Sequence, residues 1–102
     1  MREEFIRERI TQLRLQKGIS EYQMSYDLGH SRGYVYNISS GKSLPPMKEF
    51  LAICDYFEIT PQEFFEETAE NPTQLHKILE KLKQLDDAER ESLLRLLERM
   101  TK

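Results

Sequence analysis

Gly18, Gly29 and Gly41 cut the first part of this chain into short segments, and each segment carries apolar residues at helical spacing. Glycine closes a helix because it takes the left-handed backbone at little cost. Helices this short are marginal in water by themselves. The chain must therefore stack several short helices on one another around a shared core, and this requirement narrows the fold more than any other feature.

The first segment, roughly residues 3 to 17, places Ile6, Ile10 and Leu13 on one side with Arg and Glu between them. Ser20 starts a second helix, with Gln23 at the spacing of a reciprocal capping box, Met24 and Leu28 facing inward, and Gly29 closing it. Ser25 lies between the inward residues, where a small side chain lets a neighbouring helix come close. Ser31 is placed to cap a third helix with Val35 and Ile38 inward and Gly41 at its end. Pro45 and Pro46 open a fourth, striped by Met47, Phe50, Leu51, Cys54 and Phe57. Thr60-Pro61-Gln62-Glu63 is a cap, a first-turn proline and a reciprocal Glu, and Phe64 and Phe65 follow in a short fifth helix.

Beyond Phe65 the chain turns polar and acidic before the cap pattern returns at Asn71-Pro72-Thr73-Gln74. Leu75, Ile78, Leu82 and Leu85 then form a heptad seam, and Asp86 with Glu89 caps a last helix striped by Leu93, Leu94, Leu97 and Met100. The reading is all-α: a five-helix domain over residues 1–66, a linker over 67–71, and a helical hairpin over 72–102. The hairpin leucines, with Leu75, Ile78, Leu82 and Leu85 on one arm and Leu93, Leu97 and Met100 on the other, offer more apolar surface than one hairpin can bury. Pairing with a second copy is expected, with folding back on the first domain as the alternative.

The middle of the chain carries the chemistry. Two short helices joined by a tight turn can present the second of them to the DNA major groove, which admits one α-helix. With Val35 and Ile38 inward, Arg32, Gly33, Tyr36 and Asn37 face out, and Tyr34 lies on a flank. Arg32 can donate twice to a guanine edge, Asn37 can pair with an adenine edge, and the Tyr36 ring can press on a thymine methyl. Tyr34 can bond a phosphate, and Ser31 and Lys42 stand within the same stretch. Gly33 costs about 1 kcal/mol of helix propensity relative to Ala. Its missing side chain either lets the backbone approach the groove floor or merely eases entry into the helix.

The order and spacing of Lys17-Gly18-Ile19-Ser20, Leu28-Gly29, Ser31-Arg32, Val35-Tyr36-Asn37-Ile38, Gly41-Lys42, Pro45, Ile59-Thr60-Pro61 and Phe64-Phe65 resemble the Cro/C1-type helix-turn-helix domain. This is the xenobiotic-response-element family of bacterial and phage regulators. The resemblance covers Ile6 to Phe65. It implies a five-helix, lambda-repressor-like domain whose third helix reads an operator in double-stranded DNA, usually as a homodimer on a two-fold symmetric site. By position, Arg32, Gly33 and Asn37 fall where the family reads bases, and Tyr34, Ser40 and Lys42 where it holds phosphates. Two departures stand out. Glu21 replaces the frequent Gln after the second helix's cap and would repel a phosphate, leaving Tyr22 and Gln23 as the backbone contacts there. Ser39-Ser40 replaces the frequent Glu followed by Arg or Asn before the closing glycine.

A net charge of −3 counts against a generally basic nucleic-acid binder, so any DNA contact must rest on a local field. It also favours the competing reading, a protein-interaction module in a toxin–antitoxin or phage circuit. The lone Cys54 sits at a core position and reads as a buried thiol in a reducing cytoplasm. His30 and His76 lack partners at metal spacing and read as packing or solvent-facing residues. No nucleophile, phosphate-loop or paired-carboxylate motif is present, so neither catalysis nor a cofactor is expected, and no segment reads as a membrane span.

Overall fold

The computed structural model describes residues 2–102, which form seven α-helices and, among the described residues, no strand. They are α1 (Glu3–Lys17), α2 (Glu21–Asp27), α3 (Tyr34–Ser39), α4 (Met47–Tyr56), α5 (Pro61–Phe64), α6 (Pro72–Lys83) and α7 (Asp87–Met100). The first five enclose a core of Ile10, Leu13, Met24, Val35, Ile38, Phe50, Ile53, Cys54, Phe57, Ile59 and Phe64.

Local chemistry sets most of the boundaries. At the end of α1, Gly18 has φ 76°, and its N–H donates to the carbonyls of Arg14 and Leu15. The Ser20 hydroxyl accepts from the Gln23 N–H as the spacing predicts, but the Gln23 amide turns forward to Asp27 instead of closing the box. Thr60 with Glu63 and Asp86 with Glu89 form complete reciprocal boxes, and Asn71 caps α6.

Three expectations are corrected. Ser31 does not cap α3: Gly33 holds the N-cap position, and Ser31 contributes only its backbone carbonyl, to the Tyr34 N–H. The side-chain cap comes from α2. Ser25, fully buried, accepts from the Val35 N–H at 3.0 Å and donates to the Glu21 carbonyl at 2.8 Å. Pro46 sits at the N-cap of α4, not within its first turn. The inward face of α4 is Phe50, Ile53 and Cys54, continued by Phe57, while Met47 and Leu51 are 69% and 45% exposed. Leu51 lies one residue, about 100° of helical rotation, from Phe50 and so faces away. Met47 shares the stripe but sits in the first turn, past the edge of the core.

The Ser25 bonds lead to a first prediction. Ser25→Ala leaves the buried Val35 N–H without a partner and should cost about 1–2 kcal/mol in denaturant unfolding. A loss within about 0.3 kcal/mol of zero would mean that this N–H does not depend on the hydroxyl.

The polar stretch before α6 lies against α1. The Gln12 and Gln16 amides both donate to the Glu70 carbonyl, and Arg9 donates to the carbonyls of Glu66 and Ala69. Pro72 is fully buried at the start of α6. The hairpin is stitched by Arg90, which donates to the carbonyls of Leu82 and Lys83. No residue of α7 is buried, and the molecule extends 49 Å along its long axis against 25 and 24 Å across. Among the described residues no helix is long and apolar enough to cross a membrane.

Candidate nucleic-acid interface

The α2–turn–α3 unit is built around Met24, Ser25, Val35 and Ile38, each no more than 1% exposed. Val35 and Ile38 anchor α3 from beneath. The opposite side of the six-residue helix carries Tyr36 and Asn37, both exposed, with exposed Arg32 just before it. Among the described residues the Asn37 side chain has no hydrogen-bond partner. Its backbone carbonyl is occupied instead, accepting from the N–H groups of Lys42 and Ser43 and so folding the next loop back against the end of α3. The fold thus leaves the amide of Asn37 free while fixing its backbone.

Arg32 stands over the Tyr22 ring, its guanidinium carbon 5.2 Å from the centroid. This is a cation–π contact at a half-exposed tyrosine. Tyr22 therefore supports Arg32 as well as standing beside Gln23 at the start of α2. Gly33 has φ −93°, a value open to any residue, and a Cβ built there would meet nothing within 4 Å. The fold itself does not require glycine at this position.

The turn ahead of α3 is held by a small network. The rings of His30 and Tyr34 stack at 3.8 Å and 8°. Glu49 of α4 faces both, with the His30 Nε2 at 3.2 Å and the Tyr34 hydroxyl donating at 3.0 Å. Burial and this carboxylate push the Tyr34 hydroxyl pKa up, so it stays protonated. Tyr34 is half-buried with its hydroxyl already engaged. Ser31, Ser40 and Lys42 are exposed, the last in the loop that leaves α3.

The two departures from the resembled pattern meet in space. The Ser39 hydroxyl donates to the Glu21 carboxylate, joining the start of α2 to the end of α3 across eighteen positions. Glu21 is half-buried and lies in the first turn of α2, where an acid is favoured by the helix dipole. Its charge is thus partly absorbed by structure.

Arg7 stands beside this face, a placement that sequence reading missed. It sits on α1 and donates from Nη2 to the Gly41 carbonyl at 3.3 Å, next to Lys42, while its Nη1 faces the Glu3 carboxylate at 3.7 Å. Periodicity places Arg7 beside the inward stripe of α1 but carries no sign of a carbonyl 34 positions away. The histidines pack: His30 as described, and His76 through Nδ1 on Glu63 Oε1 at 2.8 Å. Cys54 is buried, and burial with Asp55 nearby pushes its thiol up to about 11, which keeps it unreactive.

The hairpin residues fall into two sets. Leu75, Leu82, Leu85 and Leu93 are half-buried, whereas Ile78 is 51%, Leu97 43% and Met100 71% exposed. An open cleft lined by Ile78, Leu82, Leu85 and Leu93 runs between α6 and α7.

A family model described as a helix-turn-helix domain matches residues 8–70. No curated protein and no solved structure matches the chain.

Proposed function

The chain belongs to the helix-turn-helix domain family, and from that premise we propose that it binds double-stranded DNA sequence-specifically, as a Cro/C1-type prokaryotic transcription regulator. The observation that carries this reading is the outer face of α3 and the turn before it, where Tyr36 and Asn37, with Arg32 just ahead of them, stand exposed over the buried anchors Val35 and Ile38. Arg32, Gly33, Tyr36 and Asn37 take the base edges. Gly33, which the fold does not need, allows the backbone close to the groove floor. Gln23, Ser31, Ser40 and Lys42 hold the phosphate backbone. Tyr22 steadies Arg32 from below, and Tyr34 acts mainly through its ring and its bond to Glu49.

The working unit is a homodimer on a two-fold symmetric operator, joined through the hairpins. The half-exposed leucines of α6 and α7 support this. Leu97→Glu should convert the dimer to monomer in sedimentation at micromolar concentration while leaving helicity intact. An unchanged sedimentation coefficient would remove the hairpin from the interface.

Selection from a pool of random duplexes at moderate salt tests the function directly. A two-fold symmetric enriched motif is expected. Absence of enrichment at any salt would pass the case to the protein-interaction reading, which the carboxylates of Glu21 and Glu49 beside this face favour. Binding by a DNA reader weakens steeply with salt, and binding to a protein partner hardly at all.

A further inference from the structure

Residues 66–70 are gripped by one face of α1. Arg9 is 4% exposed although it is a full cation, and its two terminal nitrogens donate to the Ala69 and Glu66 carbonyls, each at 2.7 Å. These two carbonyls bracket a turn closed by the Ala69 N–H on Glu66. The planar guanidinium fork suits two acceptors at fixed separation, which a lysine could not span. The guanidinium itself also lies over the Phe5 ring, 5.0 Å from its centre. Gln12 and Gln16, three and seven positions on and so on the same face, grip the next carbonyl, that of Glu70.

The grip continues into α6. Thr73 donates to the Phe57 carbonyl, Pro72 is buried, and His76 meets Glu63, whose other work is the capping box of α5. All of these contacts lie in residues 66–70, the strap, and in the first turns of α6. From Lys77 onward every residue of the hairpin is half-buried or exposed. The arm is clamped at its root and free along its length.

We propose that Arg9, with Gln12 and Gln16, locks the hairpin to the reading head and so sets the spacing between the two half-sites that a dimer accepts. The inference rests on the dimeric DNA reading above. If hairpins join the two copies, the position of one α3 relative to the other is passed through both straps. One base pair of extra spacing moves a half-site by about 3.4 Å and turns it by about 34° on a duplex of roughly 10.5 base pairs per turn. A clamped arm refuses that change, and a loose arm follows it. Arg9 is on this account a positioning residue that touches no base.

The test has a DNA-free arm and a DNA arm. Arg9→Met keeps an unbranched apolar stem and removes both donors. The double variant Gln12→Leu/Gln16→Leu leaves Arg9 in place and serves if Arg9→Met does not fold. In nitrogen-15 relaxation the wild-type reading head and hairpin should share one tumbling time, and the variants should show two. In competition among duplexes whose enriched half-sites are separated by spacers differing one base pair at a time, the wild type should prefer one spacing by on the order of tenfold over its neighbours. The variants should bind several spacings alike. A folded Arg9→Met protein that still tumbles as one body and keeps the wild-type preference overturns the latch. If the wild type enriches no duplex, it is the DNA reading that fails, and the relaxation result alone decides the latch.

Discussion

Arg32→Ala/Asn37→Ala should abolish selective DNA binding while leaving the fold untouched. Both side chains are exposed, and neither contributes to the core, so far-UV circular dichroism and unfolding should match the wild type within about 0.5 kcal/mol. At each half-site of the enriched duplex a truncation removes about 1–3 kcal/mol, so the pair loses roughly 2–6 kcal/mol per half-site, or about 30-fold to 2 × 10⁴-fold, and the two-fold symmetric duplex loses twice that free energy. On arbitrary duplexes the loss should be far smaller and confined to the Arg32 charge. Lys42→Ala supplies the contrast: a modest loss on every sequence and a log–log salt slope shallower by about 1 per protomer, so about 2 for the dimer. Titrations of the three proteins on specific and scrambled duplexes at several salt concentrations make the comparison. If the double variant loses equally on all sequences, the face of α3 is attracting DNA without reading it.

Phe64→Ala should bring the reading head close to unfolding. Phe64 has no exposed surface, and its ring meets Phe50 at 4.9 Å and Phe65 at 5.0 Å, with Phe5 at 6.5 Å. Those partners come from α4, the end of α5 and the start of α1. A short helix has little stability of its own, so this one ring holds three elements together. Removing a buried Phe typically costs about 3–5 kcal/mol, against a total of roughly 5–15 kcal/mol for a whole domain. At about 4–8 °C per kcal/mol for a domain of this size, the midpoint should fall by at least about 12 °C. A scanning-calorimetry shift under about 4 °C would show that α5 is not packed as described. Because the strap follows directly from α5, loss of the Arg9 bonds should accompany the transition, visible as exchange of the Ala69 amide, which donates to the Glu66 carbonyl.

What was legible in the sequence was what lies close along the chain. Gly18, Gly29 and Gly41 all have positive φ, the conformation for which glycine is selected at a helix end. The hydroxyl, carboxylate and amide caps at Ser20, Thr60, Asn71 and Asp86 bond an N–H three residues on, so spacing alone announces them. The inward placement of Val35 and Ile38, and hence the outward placement of Tyr36 and Asn37, follows from helical period in the same way, whereas Arg32 lies in the turn before α3. The α4 stripe was only half legible. Met47, Leu51 and Ile53 are all apolar, and which of them turns inward depends on where the neighbouring helices end.

Contacts between distant positions left no local trace. Ser25 capping α3, Glu21 accepting from Ser39, Glu49 joining His30 to Tyr34, and Arg9 holding the strap each pair groups separated by at least ten positions. Such bonds are short and directional, so they exist only once the helices have been brought to within ångströms of one another. Polar residues at those positions look like ordinary solvated surface until then. The sequence by itself determined the number of helices, the local caps at Ser20, Thr60, Asn71 and Asp86, and most of the faces that turn inward, because hydrophobic period and local capping act within a turn or two of helix. Only the tertiary structure decided which side chains stay free for a ligand and which are consumed in holding the fold, because that division depends on what each one meets across the packed interfaces.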